Sequence, residues 1–358
     1  MPDVVSQAGR LVTRAGDEAG RWTSDLAARV TGGHIRLGVT GLSRAGKTVF
    51  ITALVHNLTQ RGWLPFLEAA AEHRLLSAHI QPPAPHLDLF DFQSYFSDLS
   101  NDSDPCWPER TNSLSEIRLT LTVNPRSELA GLLGPRTIQL EIVDYPGEWL
   151  LDLPLLDMSY AVWSAQALEL ARRPERAQIA APFLSFIADV DGAAPFDTAL
   201  ARRGADLFKR YLADCRTASH ALSTLPPGRF LEPGDARNAP MLNFMPLPIN
   251  PDDPAPSPGS IAAQMSQAFE AYKSKLVRPF FQDHFAKLDR QIVLVDLLRA
   301  LNAGPAAVQD LERALAQILT CFRPGESSLL TRLVARGLSA SCLPQPKPII
   351  CMRRAMTG

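Results

Sequence analysis

The chain has 358 residues, 46% of them hydrophobic and 20% charged, so it can bury a sizeable core and does not read as disordered. A formal net charge of −1 supplies no basic field for nucleic acid and no polybasic membrane patch, and no nucleic-acid partner is expected. Five cysteines (Cys106, Cys215, Cys321, Cys342 and Cys351) form no C-x-x-C pair, and the seven histidines lack ligand spacing, which argues against a disulfide framework and a metal cage.

Residues 1–30 mix Asp, Arg and Glu throughout, which excludes a signal peptide or a membrane span. The stretch reads as a weakly amphipathic helix, with peripheral membrane contact its one route to a bilayer, and a cytoplasmic location follows as the expectation. Ile35 to Thr40 is a short β-prone run. It leads into Gly41-Leu42-Ser43-Arg44-Ala45-Gly46-Lys47-Thr48, and from Val49 to Leu58 apolar residues recur at helical spacing. This is G-x-x-x-x-G-K-[ST] between a strand and a helix, the context that gives the motif its meaning. Gly41 and Gly46 let the backbone curl so that successive amides, from Ser43 through Val49, point inward at phosphate oxygens. The helix dipole adds to that field, Lys47 reaches the β- and γ-phosphates, and the Thr48 hydroxyl ligates Mg²⁺.

Residues 59–105 read as an insertion, and its aspartates Asp88, Asp91, Asp98, Asp102 and Asp104 as a solvated face. Cys106 to Thr111 follows, then Leu114 to Val123, which alternates apolar and polar like a half-exposed strand. Gln139 to Asp144 is an apolar run ending in D-x-x-G at Asp144–Gly147. A phosphate cradle needs a carboxylate at the end of a neighbouring strand on the Mg²⁺ side, the role expected of Asp144. Gly147 offers an unobstructed amide near the γ-phosphate. The two runs predict an antiparallel pair joined around Asn124–Pro135. Signalling GTPases order a switch segment, an edge strand and a D-x-x-G strand in this way. Thr111 then fits a switch threonine closing on Mg²⁺, and Arg110 either a cis arginine stabilising transition-state charge or a solvated surface residue. Trp107 suits a nucleotide contact or packing equally. Glu148 stands where Ras-like enzymes place a water-orienting glutamine, and reads either as that residue or as a surface acid beside a strand end.

Beyond the D-x-x-G, Tyr160–Arg172, Arg176–Asp189 and Asp197–Arg216 read as helices, and Leu242–Pro248 as a short strand. Ile261–Asp289 reads as helical, Gln291–Leu298 as a buried parallel strand, and Ala306–Phe322 as the helix after it.

Several of these stretches together resemble the YcjX-like P-loop GTPases, described as stress-associated proteins of proteobacteria. The carriers are GLSRAGKTVFITALVHNL at 41–58, FQSYFSDLSNDSDPCWPERTNSLSEIRL at 92–119, LEIVDYPGEWLLDLPLL at 140–156, PPGRFLEPGD at 226–235, VRPFFQDHFAKLDRQIVLVDLLRALNAGP at 277–305 and LTCFRPG at 319–325. The resemblance implies a GTPase-type α/β fold, a three-layer P-loop NTPase sheet with large helical insertions. It also implies GTP and GDP binding with Mg²⁺, slow hydrolysis of the γ-phosphate, and a regulatory or stress-related switch. Two further readings are a nucleotide-binding scaffold without turnover and an ATP-dependent phosphotransferase. The expected organisation is a helix over 1–30, a first core part over 31–154 holding the insertion 59–105, a mainly helical insertion over 155–260 and a second core part over 261–336. The helical insertion is the natural surface for an unknown protein partner.

The tail, 337–358, breaks the pattern. A guanine-reading T-K-x-D or N-K-x-D strand is due after Val334, and the chain reads Pro344-Gln-Pro-Lys-Pro-Ile-Ile-Cys-Met352 instead. That peptide can be encoded as CCG CAA CCA AAG CCG ATC ATC TGC ATG, which two nucleotides later reads Ala-Thr-Lys-Ala-Asp-His-Leu-His. The tail is therefore expected to be a frameshift product, with the C-terminal strands of the sheet missing. The nucleotide sequence checks this: the shifted frame should encode T-K-A-D, and a frame that does not removes the idea.

Overall fold

The computed structural model describes residues 33–42, 45–60, 62, 64, 67–82, 88–101, 107–108, 113–126, 134–217, 219–320 and 349–353. They fall into two compact units, one drawn from Met1–Pro146, Lys287–Asp296 and Lys347–Gly358, the other from Gly147–Ala286 and Leu297–Pro346. The residues 1–30 expected to form a helix lie outside the described residues.

In chain order the first unit contains β1 (His34–Gly41), α1 (Lys47–Thr59), α2 (Glu68–Ala71), β2 (Leu75–Gln81), β3 (Asp88–Leu89), α3 (Phe92–Leu99), β4 (Ser115–Val123) and β5 (Arg136–Asp144). The strands form one mixed sheet in the order β2-β4-β5-β1-β6-β7, with β3 beside β4; β6 spans Arg290–Val295 and β7 Ile349–Arg353. β1 is parallel to both β5 and β6, β4 is antiparallel to β5, and β2 is antiparallel to β4. Both the antiparallel pair and the buried parallel strand expected near 291–298 are present. The insertion at 59–105 does more than expected, because it supplies the edge strand β2 as well as β3 and α3.

Alternation decides which way the sheet faces. Ile117, Leu119, Leu121 and Val123 of β4 and Ile138, Leu140 and Ile142 of β5 share one core with Leu37 and Val39 of β1 and Ile292 and Leu294 of β6. Helix α1 closes that core with Ile51, Val55 and Leu58, spaced four and three apart along one face. Each such side chain contributes about 1.5–3 kcal/mol by leaving water. Residues between them alternate onto the other face. There Glu141 lies 2.8 Å from Arg36 and 3.0 Å from His34, and Glu116 pairs with Arg118. Burial pushes the Glu116 carboxyl up to about 7, and the negative charge of Glu141 adds to the rise.

One expectation needs correction at the C-terminal end of the sheet. Residues Ile349–Arg353, within the tail expected to leave the strands missing, form β7 parallel to β6, with Ile292 opposite Ile350. Ile349-Ile350-Cys351 is a short apolar, β-branched run, and an open parallel edge accepts such a run whatever its origin.

The second unit is mostly helical: α4 (Tyr160–Ala171), α5 (Pro174–Ala188), α6 (Thr198–Cys215), α7 (Ile261–Tyr272), α8 (Arg278–Asp283), α9 (Leu297–Ala303) and α10 (Pro305–Thr320). Helix starts obey the capping rule, since Ser159, Asp197 and Ser260 each accept from a first-turn amide. Trp163 stands at the centre of the aromatic core, 5.2 Å from Phe244 and 5.1 Å from Phe269. Leu242–Pro248, expected as a strand, pairs with none among the described residues. Pro246 and Pro248 have no N–H to offer a ladder, so side chains take up the backbone instead: the Tyr160 hydroxyl donates to the Met245 carbonyl at 2.7 Å.

Two buried carboxylates organise this unit. Asp310 of α10 lies 2.6 Å from Arg176 of α5 and accepts the Ser223 and Thr224 amides at 2.6 and 2.8 Å. Asp152 accepts the Gly228 amide at 2.6 Å, the Arg229 amide at 3.2 Å and the Tyr272 hydroxyl at 2.6 Å. Burial still pushes the Asp152 carboxyl up to about 6, against the pull of those donors. Between the ordinary aspartate range and about 6 the folded state therefore holds more proton than the unfolded chain, and stability falls as pH rises through that window. A shift of this size corresponds to about 3 kcal/mol. Asp152→Asn keeps one acceptor and one donor, as the protonated acid does. It should remove this component of the slope in denaturation midpoints measured between about pH 4 and 6.

Candidate functional site

The central strand β1 runs out at Gly41 between two parallel neighbours, and the chain turns there into α1. A side chain at Gly41 would place its Cβ 2.8 Å from that of Ala45 and 3.1 Å from Leu294, so the close turn admits only glycine without displacement. Gly46 caps α1 in the left-handed region, φ 78° and ψ 31°, where a side chain would be strained. Among the described residues no side chain caps this helix. Such an end, with Lys47 and the buried Thr48 in its first turn, is suited to an anion.

Asp144 ends β5 directly beside this turn. It is level with Val39 of β1 in the parallel register and with Ser115 of β4 in the antiparallel one, and it is 2% exposed. Its position is fixed by two buried hydrogen bonds. The Thr40 hydroxyl donates to the Tyr145 carbonyl at 2.9 Å, and the Tyr145 hydroxyl donates to Gln291 Oε1 at 2.5 Å. Gln291 in turn donates its amide to the Ile292 carbonyl at 2.9 Å. Gly38 makes room for this bridge, because a Cβ there would fall 2.4 Å from Gln291 Oε1. Burial holds the Tyr145 phenol well above its usual range, and the Asp144 charge adds to the rise.

The Thr48 hydroxyl and the Asp144 carboxylate are hard oxygen donors of the kind Mg²⁺ takes. Among the described residues no group of three or more His, Cys, Asp or Glu could hold a metal by itself. Mg²⁺ keeps several waters and takes phosphate oxygens as well, so two protein oxygens are compatible with it.

Gly41, Ala45, Gly46, Lys47, Thr48, Val49 and Asp144 lie in the first unit. Ser43, Arg44, Arg110 and Thr111 lie outside the described residues, and Trp107 is 63% exposed. Gly147 and Glu148 open the second unit, in a 3₁₀ stretch over Gly147–Asp157. The Glu148 carboxylate is buried there, 3.4 Å from Arg216 Nη1. Thr40, Tyr145 and Gln291 carried no motif and were missed; the one sequence signal was a glutamine opening an otherwise apolar strand.

Sheet order and helices define a mixed α/β protein built on a central mixed sheet. The sequence matches the YcjX-like family, DUF463, over residues 35–340, and the chain belongs to that family. It is 38% identical over 327 residues to the Ras-like GTPase YcjX of Escherichia coli (strain K12), covering 87% of this chain and 69% of that protein. It is 35% identical over 335 residues to the Ras-like GTPase YcjX of Shewanella oneidensis MR-1, covering 87% and 68%. No helix among the described residues is long and apolar enough to cross a membrane.

Tyr145→Phe tests the bridge. It leaves a buried acceptor on Gln291 without its donor and should cost about 1–3 kcal/mol in urea unfolding. Tyr145→Phe with Gln291→Leu should recover part of that loss, because both polar groups are then gone.

Proposed function

We propose that the chain is a Mg²⁺-dependent GTPase, cytoplasmic and acting as a regulatory switch. The observation that carries this reading is the turn from β1 into α1, with its left-handed, side-chain-free cap at Gly46 and the Asp144 carboxylate ending the adjacent parallel strand. The two relatives named Ras-like GTPase support the guanine nucleotide over the adenine one.

In this reading the amides from Gly41 through Val49 cradle the α- and β-phosphates, and Lys47 pairs with the β- and γ-phosphates. Thr48 and Asp144 hold Mg²⁺ directly or through its water, and Thr111 joins them in the triphosphate state. Held there, Mg²⁺ would supply positive charge to offset the negative charge that develops on the phosphates. Arg110 stabilises the same charge in cis, Gly147 offers its amide to the γ-phosphate, and Glu148 orients the attacking water. Trp107, 63% exposed, supplies a nucleotide contact in this reading. The helical residues 155–260 present the partner surface.

Titration with Mg·GTP and Mg·ATP, followed by turnover, tests the proposal. GTP should bind and be hydrolysed in preference, and absence of binding by both nucleotides ends it. Lys47→Ala should weaken GTP by about 2–3 kcal/mol, roughly 30- to 150-fold, and GDP, which offers it only the β-phosphate, by less. Thr111→Ala should weaken Mg·GTP more than GDP, and an equal loss for both removes its switch role.

A further inference from the structure

Glu148 follows the D-x-x-G, and its carboxylate is already engaged within the second unit. Its main chain is pinned: Gly228 lies so close that a Cβ there would come within 1.8 Å of the Glu148 carbonyl oxygen. Its side chain faces Arg216, the residue that ends α6, and Nη1 of Arg216 serves two carboxylates at once. Glu232 is the nearer partner, and Glu148 the farther at 3.4 Å. All three side chains are largely enclosed, at 13% exposure for Arg216, 8% for Glu148 and 12% for Glu232. The arrangement is anchored on both sides. The Arg216 carbonyl accepts from Arg299 of α9 at 2.6 Å, and the Glu232 carbonyl accepts from Trp149 Nε1 at 2.7 Å.

Arg216 Nη1 faces both carboxylates, so the two acids repel each other while competing for that guanidinium, with Arg299 held against the Arg216 carbonyl beside them. Glu148 holds the weaker share, since 3.4 Å is long for a hydrogen bond. Enclosure still keeps that attraction from being screened as a surface pair is. Such a contact restrains the carboxylate and can be released.

We propose that Arg216 is a positioning residue that holds Glu148 in a resting pose and so restrains the water-orienting role proposed for it, with Glu232 setting how firmly. The proposal rests on the GTPase reading, in which Glu148 orients water. Charge competition fixes the signs of the effects. Removing the Arg216 charge frees Glu148; removing the Glu232 charge leaves Arg216 wholly to Glu148 and tightens the hold.

The experiment is GTP turnover by the full chain at saturating Mg·GTP, with GDP affinity measured beside it. Arg216→Gln should raise kcat about tenfold, equivalent to about 1.4 kcal/mol of barrier. KM for GTP and the affinity for GDP should stay within about twofold, since the phosphate cradle is untouched. Glu232→Gln should lower kcat. In a Glu148→Gln background Arg216→Gln should give no gain over Glu148→Gln alone, which a purely structural role for Arg216 does not predict. A folded Arg216→Gln protein with unchanged or lower kcat overturns the proposal, as does a gain that survives Glu148→Gln. If Arg216→Gln does not fold, Glu232→Gln decides alone: a lower kcat supports the restraint, and an unchanged or higher one overturns it. Wild-type protein that binds no Mg·GTP removes the GTPase reading itself, whereas wild-type turnover with unresponsive variants removes only the restraint.

Discussion

Thr40 is wholly buried, and its hydroxyl donates to the Tyr145 carbonyl at 2.9 Å; the residue before that carbonyl is Asp144. The Tyr145 side chain passes the constraint on to Gln291 of β6, level with Gly38, so β5, β1 and β6 are joined by side-chain hydrogen bonds as well as by the sheet ladder. Groups this deep are costly to leave without partners, which gives the tie its specificity. A turn that leaves β1 at Gly41 and a carboxylate that ends β5 can keep a constant separation only if those strand ends keep theirs. The glycines at 38 and 41 belong to the same constraint, one clearing space for Gln291 and the other for Ala45 and Leu294.

The helical unit uses buried charge in a different way. Asp152 and Asp310 each gather backbone amides from segments distant in sequence, and a side-chain donor completes each set: Tyr272 for the first, Arg176 for the second. Arg229 stacks over Trp149, its guanidinium carbon 3.7 Å from the ring centroid, near the segment that Asp152 holds. Irregular chain around 222–248 is thus given shape by side chains where no ladder is available to it. The same logic places Glu148, whose neighbours in sequence belong to a strand end but whose carboxylate is held by Arg216.

Local chemistry was the legible part of the sequence. The alternation over Leu114–Val123 and the run ending at Asp144 are period-two signals, and they marked an antiparallel pair without knowledge of anything else. The structure adds Ser159, Asp197 and Ser260 at helix starts, where a short oxygen side chain satisfies a first-turn amide within three residues. The reading of Leu242–Pro248 as a strand weighed apolar content above the missing N–H groups of Pro246 and Pro248. The edge strand β2 was passed over because its exposed residues, Leu76 and Ile80 among them, break the alternation that announces a half-buried strand.

What the sequence by itself determined was most of the string of elements, though not β2 or β7, and the phosphate-loop pattern, since each is a matter of backbone geometry and spacing within a few residues. What only the tertiary structure decided was which distant groups meet. Tyr145 and Gln291 are 146 residues apart, Arg176 and Asp310 are 134, and Glu148 and Arg216 are 68. A side chain's local sequence sets its chemistry but not its partner. The partner follows from sheet order and helix packing, which are fixed by the burial of many residues at once.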